Sequence, residues 1–207
     1  MTTTVLQPCA EDAFASTTNY SSQTYLYSGF YTYAYRAWMK FAGLSNGTIP
    51  HGALISAASV SLYAYDDDAG SSYTHYIHRN TADYTYTTVT LSAPPAYDAT
   101  ELGSRAFGTT DRGFCEFTLS AAEIQKIVNG TYNNYGFTLR CGQEGANSVF
   151  RFYSSRYATD TSYRPKMSIT WNSVGGILMF FDRLKWKGCN WIPKGGIWQP
   201  KESMVTI

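Results

Sequence analysis

Apolar and polar positions alternate with period two from the N-terminus to about residue 171, as strands do when one face lies in a core and the other in solvent. The clearest stretch is Ser59-Val60-Ser61-Leu62-Tyr63-Ala64-Tyr65, with Val60, Leu62 and Ala64 on one face and Ser59, Ser61, Tyr63 and Tyr65 on the other. The same pattern predicts strands over 33–41, 74–79, 113–119, 135–141, 149–153 and 166–171. Turn residues separate them: Asn46-Gly47, the acidic run 66–70, Pro94-Pro95, Asn133-Asn134 and Arg164-Pro165. One helix interrupts the strands. Ser120-Ala121-Ala122-Glu123 reads as a capping box, in which hydroxyl and carboxylate each satisfy a backbone donor. Ile124, Ile127 and Val128 follow at helical spacing, and Gly130 supplies a left-handed stop. Many short strands with one crossover helix predict an all-β fold, a jelly-roll-like antiparallel β-sandwich over residues 1–172.

Beyond residue 172 the alternation ends. Gly175-Gly176-Ile177-Leu178 is echoed by Gly195-Gly196-Ile197-Trp198, and three of the five tryptophans (Trp186, Trp191, Trp198) fall in this extended tail. A segment this short cannot bury them by itself, so 173–207 reads as an assembly or anchoring element. Trp186, Trp191 and Trp198 are spaced five and seven apart. With Ile197 they are expected to act as separate anchors, each filling its own pocket across a subunit contact.

Composition narrows the function. The 207 residues include 18 Tyr and 17 Gly but only 15% charged residues, which favours strands over helical bundles. A net charge of +1 gives no electrostatic case for nucleic acid or an anionic membrane. The charge is unevenly spread, because Arg183, Lys185, Lys187, Lys194 and Lys201 outnumber Asp182 and Glu202 in the tail. The opening MTTTVLQPCAEDAF lacks a charged region followed by an apolar run, so a cytoplasmic product without a signal peptide is expected. Cys9, Cys115, Cys141 and Cys189 are far apart with no CxxC pair and are expected to be simple buried thiols.

A series of blocks carries a family likeness. They are Glu11-Asp12-Ala13-Phe14, Asn19-Tyr20 before Leu26-Tyr27, Arg36–Phe41, Ile55–Tyr63, Thr87–Pro94, Ile127–Gly130, Asn134–Leu139, Phe152–Ser155 and Arg164–Thr170. In this order and spacing, residues 5–172 resemble the DNRLRE domain family, related to disaggregatase-type repeats and to a class of carbohydrate-binding modules. Leu91 stands where that family's pattern has Trp, and Tyr157 where an acid follows the Phe-x-Ser segment. Members occur on secreted surface proteins and on phage virion proteins. The start without a leader and the Gly/Trp tail are more similar to the phage group, which implies a virion protein.

Candidate chemistry is sparse. No G-x-S-x-G, P-loop, G-x-G-x-x-G or H-E-x-x-H motif occurs. His75 and His78 are three apart on a strand, hence on opposite faces, and are expected to be solvated rather than to share a metal. Asp66 and Asp68, in a run of three aspartates, and Glu11 with Asp12 are weak Ca²⁺ candidates; a polar turn and surface acids are the simpler readings. Glu116 and Glu144 are the acids to weigh for glycoside hydrolysis, and read as surface residues. The tyrosines matter more. Tyr63, Tyr65, Tyr73, Tyr76, Tyr84, Tyr86 and Tyr97 crowd one region, several on the outward phase, as either a protein contact surface or a platform for sugar C–H faces.

The expected protein is a non-enzymatic bacteriophage structural protein of the virion, a head, collar or tail-tip decoration or fibre component. It would be made in the host cytoplasm without cofactor, forming a homo-oligomer, a trimer for preference, and contacting other virion proteins through the tail. Neither nucleic acid nor membrane insertion enters this reading. The alternative is a carbohydrate-binding module or adhesin that recognises host surface glycan.

Overall fold

The computed structural model describes residues 1–7, 9–67, 69, 71–173, 191–194 and 197–200, the last two segments by their backbone. The chain divides into two compact units, Met1–Ser173 and Val174–Ile207.

The first unit is a jelly-roll-like β-sandwich of antiparallel strands. Its long central strand β5 (Leu54–Asp67) pairs along one edge with β8 (Gly113–Leu119). The other edge is shared by β11 (Lys166–Asn172) and β10 (Phe150–Tyr153). Beyond these, β1 (Thr2–Leu6) flanks β11 and β3 (Tyr25–Phe30) flanks β10, completing the first sheet. The second sheet runs β2 (Glu11–Ala15), β4 (Ala34–Lys40), β9 (Phe137–Cys141), β6 (Tyr73–Asn80) and β7 (Tyr97–Phe107). The β3–β4 hairpin links the sheets, with Gly29 opposite Tyr35 and Phe30 opposite Ala34.

Period-two alternation decides what lies between them. Val60, Leu62 and Ala64 of β5 are fully buried, as are Cys115 and Phe117 of β8 and Phe150 and Phe152 of β10. Met39, Ile77, Phe107, Phe137 and Leu139 meet them from the second sheet. Phe107 forms the aromatic seam, with ring centroids 4.7 Å from Phe150 and 5.7 Å from Phe117. Burying side chains of this size contributes about 2–3 kcal/mol each, offset by the entropy of ordering them.

Helix α1 (Ala121–Val128) closes one end, burying Ile124, Ile127 and Val128, and stops at Gly130 with φ +73°. Its capping box is half formed. Ser120 Oγ accepts from Glu123 N, but Ser120 N already donates to Leu102 O at 2.8 Å. The Glu123 carboxylate therefore turns to Lys126 Nζ at 2.7 Å instead of reaching back to the backbone.

In the second unit, β12 (Trp191–Lys194) and β13 (Ile197–Pro200) form an antiparallel pair, with Pro193 opposite Trp198 and Lys194 opposite Ile197. Within the tail, expected to be extended, this short ladder forms from the runs on either side of Gly195-Gly196 in the sequence.

Candidate functional site

The outer face of the first sheet is set by the phase that buries its inner face. With Val60, Leu62 and Ala64 inside, Tyr63 and Tyr65 of β5 turn outward; with Phe150 and Phe152 inside, so do Arg151 and Tyr153 of β10. On β3, Leu26 and Ser28 are buried while Tyr25 and Tyr27 are half-buried. Pairing register then places Tyr27 opposite Arg151, Tyr25 opposite Tyr153 and Tyr63 opposite Phe114. Strands separated by about 4.8 Å hold successive rings at stacking distance.

The rings do stack. Tyr153 lies 4.6 Å from Tyr65 at an interplanar angle of 15°. Two further rings come from segment 154–165: Tyr157 stacks on Tyr153 at 3.7 Å, and Tyr163 stacks on Tyr63 at 3.9 Å. Phe114 meets Tyr63 edge-on at 5.2 Å, and Lys166 Nζ sits 3.8 Å above the Phe114 ring. Towards β3 the row ends in Tyr27 and Tyr25, 5.0 Å apart, which pack against the buried Phe14 of the core.

Charged groups punctuate the row. Arg151 bonds Asp66 at 2.5 Å with its guanidinium 5.2 Å from the Tyr27 ring centroid, and Arg112 pairs with Asp67. A hydrogen bond with Tyr157, then burial, pushes the Tyr153 phenol up to about 12. Burial raises Tyr65, and a hydrogen bond with Tyr63 raises Tyr163. At neutral pH these three hydroxyls therefore keep their protons, and each can donate as well as accept. The row offers half-exposed rings, two-way hydroxyls and a few paired charges, an arrangement suited to contacting a hydroxyl-rich surface.

Segment 154–165 is held at its start by Asp12, which is wholly buried, and further along by Gln7 Nε2, which donates to Thr161 O, Ser162 O and Arg164 O. The Asp12 carboxylate accepts from Ser155 N at 2.5 Å, Ser155 Oγ at 2.8 Å and Arg156 Nη1 at 2.8 Å, and Cys9 Sγ lies at 3.3 Å. Ser154 is tied to the two residues before β3, donating to Gln23 O and Thr24 O. Tyr157 is delivered to Tyr153 by this clamp.

The sequence profile of carbohydrate-binding module family 96 matches residues 4–172, the whole of this sandwich. The chain belongs to carbohydrate-binding module family 96. Among curated proteins, none matches it.

Of the seven tyrosines picked out from the sequence, this family 96 module brings Tyr63 and Tyr65 into the row. Tyr84 and Tyr86 go elsewhere: they pack on Ala13, Ala15, Trp38 and Val89 over the outer face of the second sheet. Tyr84 and Tyr86 are each half-buried against this cluster, and burial raises the Tyr84 phenol. Tyr73, Tyr76 and Tyr97 lie on β6 and β7, where Tyr97 Oη accepts from Arg140 Nη1 at 2.9 Å. Tyr25, Tyr27, Tyr153, Tyr157, Tyr163 and Phe114 were missed. The outward phase of 149–153 pointed to Tyr153, whereas no periodic signal marks Tyr157 and Tyr163 in their connecting segment.

The acidic candidates are engaged by arginines. Asp12 is bound by Arg156 and Asp66 by Arg151, which gives neither carboxylate the open position a Ca²⁺ ion needs. Glu11 is half-buried at the start of β2, and Asp68 lies outside the described residues. Among the described residues, no three His, Cys, Asp or Glu side chains cluster to hold a metal ion.

The histidines do lie on opposite faces, but both are buried rather than solvated. His75 bonds Ser28 Oγ at 3.0 Å between the rings of Phe107 and Phe150, and burial lowers its pKa to about 3. His78 is held by Asp98 O at 3.0 Å beside Tyr97.

Glu144 forms a two-pronged bond with Arg36 at 2.9 and 2.7 Å, whereas Glu116 is exposed on β8. Cys9, Cys115 and Cys141 are buried free thiols. Trp191, Ile197 and Trp198 fall on β12 and β13, and Trp186 lies outside the described residues.

Proposed function

We propose that this chain is a non-enzymatic carbohydrate-binding module, in which the outer tyrosine row of the first sheet makes the sugar contact. Supporting this are the family placement and one geometric fact: Tyr63, Tyr65, Tyr153, Tyr157 and Tyr163 stack into a single half-exposed surface. Phenol edges and outer ring faces meet sugar C–H surfaces, while the hydroxyls and the Arg151–Asp66 pair exchange hydrogen bonds with sugar hydroxyls. This reverses the ranking reached from sequence, in which a virion part came first and the glycan contact second. The DNRLRE likeness agrees with a module of this kind, displayed on a host-facing particle or another surface. Residues 173–207 then serve attachment, with Trp186, Trp191, Trp198 and Ile197 as anchors to sister subunits or to the body that carries the module.

The test is retention of the full chain in native gels loaded with soluble polysaccharides, backed by a glycan array. Retardation by at least one polysaccharide, reduced about tenfold in apparent affinity by Tyr153→Ala, supports the reading; a tenfold loss corresponds to about 1.4 kcal/mol. Free migration in every polysaccharide, with no array signal, removes it.

A further inference from the structure

A second concavity lies away from the tyrosine row, on the second sheet beside the C-terminal end of α1. It has a volume of about 440 Å³ and is lined by Lys40, Ser45, Asp83, Tyr132, Asn133 and Tyr135, among others. That is the scale of pockets that take small ligands. Its walls come from the end of β4, the segment after β6 and the turn after α1.

The turn is rigidly seated. Asn134 Nδ2 donates to Phe41 O at 2.8 Å and to Ser45 Oγ at 3.3 Å, and Asn80 Nδ2 donates to Tyr135 O at 3.1 Å. Tyr132 N donates to Lys126 O at 3.1 Å. Gly136, at φ +80°, passes so close to β4 that a Cβ there would meet Met39 O at 2.5 Å. The Tyr132 ring is itself held, because the Arg79 guanidinium covers it at 3.9 Å while bonding Asp98 at 2.9 Å. A cleft so constrained spends little binding energy on ordering its own side chains.

Its chemistry selects a class of ligand. The two charges that line it, Lys40 and Asp83, pair with each other at 3.2 Å and cancel, so neither an anion nor a cation is favoured. What remains is an aromatic pair with amide and hydroxyl groups. Asn133 Nδ2 donates to Tyr135 Oη at 2.9 Å, which leaves the phenol its own hydrogen to give. Donors and acceptors of similar strength beside two rings match a neutral polyol.

We propose that this cleft is a second binding site, for a neutral sugar unit, independent of the tyrosine row. The module would then hold two points of a polysaccharide, or two chains, and gain avidity without any added contact at either site.

The experiment uses the full chain, uniformly labelled with ¹⁵N, and neutral hexasaccharides of glucose, xylose and mannose as probes. Amide spectra are recorded during titration of the wild type and of Asn133→Ala, Asp83→Ala and Tyr153→Ala. Asn133 and Asp83 are exposed, so neither substitution should unfold the protein. At least one sugar is expected to shift the Asn133 side-chain amide and the backbone amides of 132–135. In Asn133→Ala the affinity read from the backbone amides of 132–135 should fall about threefold to tenfold, as expected for one lost neutral hydrogen bond, and in Asp83→Ala, which also leaves Lys40 without its partner, by at least as much. Tyr153→Ala should leave them unchanged. Shifts at the row with none at 132–135 overturn the second site while the row's reading stands. Shifts at the cleft that survive both substitutions overturn the assignment of its residues. Silence at both places overturns the second site, and the row is then decided by the polysaccharide gels and the array.

Discussion

On the second sheet, segment 81–96 lies over the outer face, so Trp38, Ala13, Ala15 and Val89 become a second small core with Tyr84 and Tyr86 packed on it. On the first sheet, the outward tyrosines of β5 and β10 stack on one another and stay half exposed. Both faces draw on tyrosine at outward strand positions or beside them. What separates them is whether a connecting segment closes over the face or, like 154–165, adds rings alongside it. A tyrosine with a lid is a core residue, and a tyrosine in an open row is available for contact.

The largest way to break this contrast is Trp38→Ala. The ring is fully buried, and truncating a buried aromatic of this size costs about 3–5 kcal/mol. Calorimetry should show a fall in Tm of roughly 10 °C or more, while the protein that remains folded keeps its polysaccharide affinity. An unchanged Tm would mean that the covered face is no core.

Asp12→Ala comes next, and it couples the two regions. It strips the partners from Ser155 N and Arg156, at a cost of about 2 kcal/mol, held to that size because the Arg156 side chain is about a third exposed and regains water. Unlike Trp38→Ala, it should also loosen Tyr157 from Tyr153, so affinity falls together with stability. Loss of stability with full affinity would show that Tyr157 is not needed in the row.

How much of this contrast could be read from residues alone differs by region. The strand phases of 59–65, 113–119, 149–153 and 166–171 were legible because one face of each is unbroken apolar, and the helix was legible from Ile124, Ile127 and Val128. The strand Tyr97–Phe107 was not, since its burial is confined to Leu102 and Phe107 among polar residues, and bulges interrupt its pairing with β6. Tyr84 and Tyr86 looked like surface rings because nothing local reveals that their own segment folds back onto Trp38. Tyr157 follows Ser155 and Arg156, which Asp12 holds from more than 140 positions earlier, and Tyr163 lies among Thr161, Ser162 and Arg164, whose carbonyls accept from Gln7, contacts that no periodicity encodes. Local pattern predicts which face of a strand is wet, and long-range closure decides whether it stays wet.

The pH dependence should separate interior from surface in a smaller way. His75 is held neutral in the fold with its pKa lowered to about 3, whereas the unfolded chain takes up a proton near 6.5. Its contribution is therefore complete above pH 6.5 and is lost as pH falls through that window towards 3. Tyr153 acts at the other end. Its phenol is raised to about 12, so the unfolded chain ionises first, near 10, and stability declines as pH rises from 10 to 12. Urea midpoints should fall on both sides, and the alkaline fall is shared with Tyr65, Tyr84 and Tyr163, whose phenols are also raised. Tyr153→Phe should lessen the alkaline decline and leave the acid limb as it is, and an unaltered alkaline limb would detach the shift from the Tyr153–Tyr157 stack.

The measurement that bears most directly on the central claim sets Tyr153→Ala beside Tyr86→Ala, with polysaccharide affinity and Tm recorded for each. Tyr153→Ala is expected to lose about tenfold in affinity, or about 1.4 kcal/mol, with Tm nearly kept, and Tyr86→Ala to lower Tm while the folded protein binds as before. Affinity lost in Tyr86→Ala and kept in Tyr153→Ala would place the sugar on the covered face and contradict the account.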